Sequence, residues 1–333
     1  RSYFAFVRNP LTNSRGENTS AVFGFTRVIL QILDKYDPSH LAVIFDSDKP
    51  TERHRIYPEY KAQRERMPEE LSRQIPIILE LVEAMGISVF SKPGYEADDV
   101  IKTIAEKAES DGLDVTIVTG DKDLFQLLSD RVSIIRPAKG VNLSDNVGPG
   151  FVNEKYGLEP GQIRDYLALV GDSSDNIPGV RGIGEKTAKN LLAGYGSLEG
   201  IYESIEEVGP EHVRKKLAAG KEQAFFSRKL VELVEVPGEF PLASMKVGQR
   251  DEKKLASLLL NMDFHQILKE MIPQASMEEK DVAVDVICTP TRIITTARSL
   301  PRPAKISWDL LHERHIKGMR PLRELRRSDE GQD

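Results

Sequence analysis

The amino-acid sequence predicts an α/β class, with a central, mostly parallel sheet flanked by helices and followed by a helical region. Three observations predict it. Short apolar runs at 41–45 and 115–119 are each closed by an aspartate, Asp46 and Asp121, as expected of buried parallel strands that end at one sheet edge. Helical periodicity covers 69–85 and 97–110 between them, the second segment carrying Val100, Ile101, Ile104, Ala105 and Ala108 on one face. Strands that alternate with helices build a parallel sheet with helical crossovers. Beyond Phe151 the strand signals fade, and helical patterns broken by glycine cover 161–170, 186–193, 211–219, 223–234 and 252–262. From about residue 275 the periodicity decays into a stretch rich in basic residues, from Arg292 and Arg298 to Arg326 and Arg327, which predicts loose order. The expected organisation is an α/β core at 1–150, a helical region at 151–271 and a basic tail at 272–333.

The chain has 333 residues, of which 29% are charged and 40% hydrophobic, long enough for two domains and a sizeable core. With 46 basic and 52 acidic residues the net charge is -6, so a nucleic-acid partner has to be met by a local basic patch rather than by a global field. The single cysteine, Cys288, excludes an internal disulfide and a cysteine-rich zinc site. No stretch approaches the roughly 18 apolar residues of a membrane span, and no signal-peptide pattern opens the chain. The expected location is the cytoplasm, at the nucleoid of a bacterium, with an organelle as the alternative. Arg1 stands where a methionine would begin a complete chain, which reads as a processed form or a fragment.

Four acidic clusters carry the chemistry: Asp46, then Glu96, Asp98 and Asp99, then Asp121 and Asp123, then Asp172 and Asp175. Each has an ordinary reading, since acids favour helix N-termini and Asp is common in turns. Together they ask for more. Asp46 and Asp121 project from one sheet edge, and Asp98 and Asp99 open a helix between those strands. Carboxylates gathered so closely repel one another and call for cations. Oxygen-only ligands suit Mg²⁺ or Mn²⁺ rather than zinc, and two such ions suit phosphoryl transfer.

Two further stretches point to phosphate. Pro178-Gly179-Val180-Arg181-Gly182-Ile183-Gly184-Glu185-Lys186-Thr187-Ala188 joins two helical patterns through glycines, so backbone amides can approach an anion beside Lys186. It is not a nucleotide-binding loop, because Glu185 precedes Lys186-Thr187 and no apolar strand leads into it. A plain helix–turn–helix connection is the ordinary alternative. Residues 49–66 hold Lys49, Arg53, Arg55, Lys61, Arg64 and Arg66, interleaved with Tyr57 and Tyr60 and adjacent to Asp46. Such a run can hold phosphates and stack a base; as a solvated helix of mixed charge it would do neither.

Long motifs then recur in a known order. Gly94-Tyr95-Glu96-Ala97-Asp98-Asp99-Val100, Thr119-Gly120-Asp121-Lys122-Asp123-Leu124, Gly171-Asp172-Ser173-Ser174-Asp175-Asn176-Ile177-Pro178-Gly179 and Gly182-Ile183-Gly184-Glu185-Lys186-Thr187-Ala188 closely resemble the 5′ nuclease domain of bacterial-type DNA polymerase I, in the flap endonuclease superfamily. The likeness runs from Arg1 to about Met271 and includes Leu11-Thr12-Asn13-Ser14 and Tyr60-Lys61-Ala62-Gln63-Arg64. It implies a 5′ nuclease-like α/β fold and a Mg²⁺-dependent enzyme that cleaves the 5′ strand of flapped, nicked or gapped DNA and removes RNA primers. It further implies a first metal site at or beside Asp46, Glu96, Asp98 and Asp99, a second at Asp172 and Asp175, and Asp121 with Asp123 between the two. By the same resemblance Lys61 and Arg64 contact the scissile phosphate, and Gly182, Gly184, Lys186 and Thr187 grip duplex phosphates, where the family often binds K⁺; from the basic stretch itself Arg53, Tyr57 and Tyr60 are expected to face DNA.

The family opens with a strand ending in a metal-ligating aspartate, a short way before the position that Arg1 matches, and the sequence in hand lacks it. The expectation that follows is a chain that binds DNA and metal yet cuts poorly. The family's polymerases also continue into an exonuclease-like domain and a polymerase, which 275–333 does not resemble. Three functions are therefore weighed: a structure-selective 5′ nuclease, which leads; a non-catalytic junction binder; and a Mg²⁺-dependent phosphatase for small esters, against which the hairpin argues because a small substrate needs no duplex grip.

Overall fold

The computed structural model describes residues 3–138, 142–273, 285–288 and 293–296. The chain forms two compact units, Arg1–Asp263 and Phe264–Asp333. In the second, helix α12 (His265–Met271) and the antiparallel strands β6 (Asp285–Cys288) and β7 (Ile293–Thr296) are described, and the remainder of the expected basic tail lies outside the described residues. No helix among the described residues is long and apolar enough to cross a membrane.

The first unit opens with helix α1 (Ser20–Tyr36), strand β1 (Ala42–Ile44), a short helix α2 (Glu52–Ile56), helix α3 (Glu69–Ala84), strand β2 (Ser88–Phe90) and helix α4 (Ala97–Ser110). Strand β3 (Val115–Val118) leads through a 3₁₀ turn, Asp123–Leu127, to β4 (Val132–Pro137) and β5 (Leu143–Val147). The buried Gln74 of α3 accepts the free amides of Ala21 and Val22 at 2.8 and 3.2 Å, so a side chain satisfies donors that the first turn of α1 leaves open.

The predicted sheet is mostly parallel, and it is divided. β1 pairs in parallel with β2, while β3 and β4 pair in parallel with β5 antiparallel on the far side of β4. The two predicted strands are less buried than expected. Every residue of β1 is partly exposed and only Ile117 of β3 is fully covered, because among the described residues each of these strands has a neighbour on one side alone.

Helices α5 (Pro149–Tyr156), α6 (Ile163–Val170), α7 (Glu185–Tyr195), α8 (Leu198–Glu203), α9 (Glu211–Ala219), α10 (Lys221–Val231) and α11 (Glu252–Asn261) complete the unit. One buried apolar cluster runs from Tyr60, Ile117, Leu124 and Ile134 through Leu167, Ile183 and Leu192 to Ile201, Leu217 and Leu230. The α/β part and the helical part thus share a core that crosses residue 150, and side chains from both stand on one packed body.

Two glycines make a close crossing. Gly171 ends α6 at φ 79°, and Gly179 turns at φ 62°; a Cβ on the first would lie 2.5 Å from the Ile177 carbonyl, and one on the second 2.4 Å from the Gly171 amide. The loop between them, which holds Asp172 and Asp175, is pinched shut by the pair Asp172 N to Ile177 O (2.9 Å) and Ile177 N to Asp172 O (2.7 Å). Gly179 therefore serves packing, not anion approach. Gly171→Ala is expected to destabilise the unit by more than about 2 kcal/mol, through both the positive φ and the clash. Urea unfolding measures this, and a loss below about 0.5 kcal/mol would show that the crossing tolerates a side chain.

Candidate active site

An open cleft of about 620 Å³ is lined by Arg64, Asp98, 118–122, Pro137, Asp172, Ser174 and Asp175. Its carboxylates come from four places in the sequence. Asp46 follows β1 and accepts the Ala97 amide at 2.8 Å, which ties the strand end to the start of α4. Glu96 is the N-cap of α4 and Asp98 lies in its first turn, where the helix dipole favours negative charge. Asp121 follows β3, and its carboxylate accepts the Asp123 amide at 3.1 Å, which aims the next acid inward. Asp172 and Asp175 sit on the pinched loop after α6, both buried.

Their mutual influence sorts them into two groups. Asp98 is pushed up to about 7 by burial, then by Asp121, against the pull of Lys61 and with smaller repulsion from Asp46 and Glu96. Asp123 is pushed up to about 8 by burial, then by Asp121, Asp172 and Asp175, against Lys122. Asp121 acts on both groups and is exposed at their junction.

Asp99 does not belong to either group, a correction to its predicted role as a metal ligand. It is 0% exposed, and both its oxygens are taken by Arg53: Nη1 to Oδ2 at 2.7 Å and Nη2 to Oδ1 at 2.8 Å. The Val234 amide adds a bond at 3.0 Å and the Glu96 amide one at 3.2 Å. Arg53 is likewise corrected. It is 7% exposed, and it also donates to the Leu230 carbonyl at 2.9 Å and the Glu232 carbonyl at 2.7 Å, so four of its five N–H groups are committed, and Nη1 lies 3.6 Å from Glu96 Oε2, which leaves it buried among protein acceptors rather than turned to a phosphate. The pair clamps α2, the start of α4 and the end of α10 together, as a bidentate buried ion pair.

The predicted contact of Tyr60 with DNA is corrected as well. Tyr60 is 3% exposed, and its hydroxyl donates to Glu96 Oε2 at 3.2 Å and Asp175 Oδ2 at 3.3 Å. A ring so placed orients carboxylates and cannot stack a base. Tyr57 is half-buried with its ring edge-on to Phe226 at 5.5 Å.

Lys61 and Arg64 stand among the carboxylates, Arg64 in the lining of the cleft. Lys61 Nζ lies 2.8 Å from Glu96 Oε1 and 3.6 Å from Asp175 Oδ2, and Arg64 pairs with Asp175 Oδ1. A third cation is one that sequence reasoning missed: Lys122 Nζ stands 3.2 Å from Asp172 Oδ2. Burial pulls Lys122 down, but the Asp172 carboxylate more than offsets it and holds the ammonium above its ordinary range. Its position between two aspartates in Gly120-Asp121-Lys122-Asp123 was the available signal.

Among the described residues no three acidic or imidazole groups stand close enough to chelate an ion as placed, since Lys61, Arg64 and Lys122 lie among the carboxylates. The donor set nonetheless fits a hard divalent ion. It is all oxygen, its charge is concentrated enough to hold Asp98 and Asp123 near neutrality, and Asp123 Oδ1 is buried with no hydrogen-bond partner.

At the hairpin, Gly182 turns at φ 80° and Gly184 caps α7, whose first residues Glu185 and Lys186 are exposed and whose Thr187 is half-buried. The Gly182 carbonyl accepts the Lys216 ammonium at 3.1 Å.

Two consecutive family models match this chain: "5'-3' exonuclease, N-terminal resolvase-like domain" over residues 1–157 and "5'-3' exonuclease, C-terminal SAM fold" over 158–253. The chain belongs to the 5′-3′ exonuclease family. It is 38% identical over 323 residues to DNA polymerase I of Bacillus subtilis (strain 168), a match covering 95% of this chain and 37% of that protein. It is 43% identical over 273 residues to the thermostable DNA polymerase I of Thermus thermophilus, covering 81% of this chain and 31% of the relative. The chain therefore spans about a third of the length of these relatives. Among solved structures it is similar to the T5 D15 protein co-crystallised with metal ions, at 26% identity and a TM-score of 0.54, covering 63% of this chain and 82% of that one. The catalytic core of Rad2 in complex with DNA substrate is alike in fold, with 19% identity, a TM-score of 0.55 and coverage of 81% and 88%. The two family models meet at 157/158.

Removing one partner of the Arg53–Asp99 pair strands a buried charge, so Asp99→Leu should cost about 3–5 kcal/mol. The double change with Arg53→Met should recover part of that loss; denaturation of the four combinations reads the coupling, and a single-variant cost within about 1 kcal/mol would contradict the clamp. The raised carboxylates carry a second expectation. Between about pH 4 and pH 8 the folded chain binds more protons than the unfolded chain at Asp98 and Asp123, so stability in a chelating buffer falls as pH rises through that window. Thermal melts with EDTA should show this slope, and Asp123→Asn should reduce it; a slope of opposite sign that Asp123→Asn leaves unaltered would contradict the assignment.

Proposed function

We propose that this chain is a metal-dependent, structure-selective 5′ nuclease that hydrolyses phosphodiesters of DNA, or of an RNA primer on DNA, at a 5′ flap, nick or gap during replication and repair. The observation that carries the reading is Asp121 standing between two carboxylate groups on one open cleft, with cations among them. Asp46, Glu96 and Asp98 would hold one divalent ion and Asp123, Asp172 and Asp175 a second, with Asp121 between; Mg²⁺ or Mn²⁺ suits these oxygens. Bound there, such ions would supply Lewis acidity and neutralise the charge that develops on phosphorus oxygens.

The chain's own residues do the rest. Lys61 and Arg64 would bind the scissile phosphate, exchanging carboxylate partners for phosphate oxygens. Tyr60 orients Glu96 and Asp175 with one hydroxyl. The Arg53–Asp99 clamp fixes the first turn of α4, from which Glu96 and Asp98 project. Gly182, Gly184, Lys186 and Thr187 would grip duplex phosphates through exposed amides and one ammonium at the start of α7. The DNA substrate places the work at the bacterial nucleoid, and a polymerase region in a longer parent chain is the partner this reading implies.

Incubation of the chain with 5′-labelled flapped DNA and Mg²⁺ tests the proposal. Cleavage near the junction is expected, with Asp121→Asn slowing single-turnover cutting by about 100-fold or more. Lys61→Met should slow it by about 10–100-fold while DNA remains bound. Binding of flapped DNA without cutting at any Mg²⁺ or Mn²⁺ concentration would contradict the nuclease, as would phosphate release from small esters with DNA left intact.

A further inference from the structure

A ladder of aromatic rings lies outside the cleft residues, and cations sit on it. Phe151 and Tyr156 of α5 both meet the ring of Phe125, at 5.4 and 6.5 Å between centroids, and Tyr156 leads on to Tyr166 of α6 at 5.5 Å. Arg136, next to the cleft residue Pro137, stands 5.6 Å over Phe151. Lys155 lies 5.5 Å over Phe151 and 5.1 Å over Tyr156, and Lys189 of α7 lies 5.0 Å over Tyr156 and 6.0 Å over Tyr166. Lys189 Nζ also donates to the Lys155 carbonyl at 3.4 Å. Among the described residues no carboxylate forms an ion pair with Arg136, Lys155 or Lys189.

The ladder joins two places already described. At one end Tyr156 is near enough to Lys122 to act on its ammonium. At the other, Lys189 is three residues beyond the hairpin's Lys186 and so shares its face of α7. In a chain of net charge -6, consecutive cations without acidic partners are not a background property. A structural staple between α5 and α7 accounts for Lys189, but not for Lys155, which is exposed and spends no hydrogen bond on holding the helices.

We propose that Arg136, Lys155 and Lys189 form a phosphate-binding track that carries the backbone of a nucleic-acid duplex between the carboxylate cleft and the hairpin. This rests on the nuclease reading and deepens it, by assigning the stretch of substrate between the two sites to named residues. The partner is read through its phosphates, since cations cover the ring faces that bases would need for stacking. Recognition along the track is accordingly independent of sequence.

Binding of the 333-residue chain to flapped DNA, followed in EDTA over a range of salt concentrations, tests the track. Lys155→Gln and Lys189→Gln should each raise Kd about three- to tenfold and lower the slope of log Kd against log salt by about 0.9, equally on stems of unrelated sequence. Lys253→Gln, an exposed lysine of α11, should change neither quantity. Thermal melts identify a variant that has lost its fold, and Lys155, which anchors nothing, then decides. Unaltered affinity and slope in Lys155→Gln would overturn the track, and so would weaker binding with an unaltered slope. If the parent chain neither binds nor cuts flapped DNA, the nuclease reading itself fails; if it does both while these variants match it, only the track fails.

Discussion

The molecule is organised around electrostatic repulsion. Seven carboxylates gather from separate parts of the sequence, four lining one cleft and three close beside them, and two of the seven are held close to neutrality by burial and by their neighbours. Charges of one sign at such distances are tolerated only with positive partners or with protons. Lys61, Arg64 and Lys122 supply the first and Asp98 and Asp123 accept the second. The same groups are those a divalent ion and a phosphate would engage, so the tension within the cleft and its chemistry have one origin.

A site under internal repulsion needs a frame that does not yield. Arg53 and Asp99 provide part of it, since a buried guanidinium with two carbonyl and two carboxylate partners joins three elements at a single point. The crossing of Gly171 and Gly179 provides another part, because only chain without side chains comes so close and so pinches the loop that bears Asp172 and Asp175. Behind both lies a core shared by the sheet and the helices. The cleft and the hairpin therefore stand on one body.

Much of this was legible in the sequence and some was not, for identifiable reasons. Aspartates after apolar runs mark strand ends, so Asp46 and Asp121 could be placed at strand ends without coordinates, although their strands lie in two separate sheets rather than along one edge. Glycine-broken helical patterns located α6, α7, α9, α10 and α11 to within a few residues. Helix α1 escaped notice because it is rich in Val, Ile, Thr and Phe, residues that favour strands, and β5 because Leu143-Ser144-Asp145-Asn146-Val147 has no apolar run. Arg53 and Asp99 show the deeper limit. Each sits in a motif whose neighbours face the cleft, and 46 residues of separation hide the fact that they neutralise each other. Tyr60 was legible as an aromatic among cations, but its burial under two carboxylates depends on the loop after α6, which sequence spacing does not fix.

Titration of the chain with Mn²⁺, followed by calorimetry and by loss of the free-ion resonance signal, tests the central claim most directly. The account predicts two ions per chain, with Asp46→Asn weakening one, Asp172→Asn weakening the other, and Asp121→Asn weakening both. A single ion, or two ions that Asp121→Asn leaves unaffected, would contradict it.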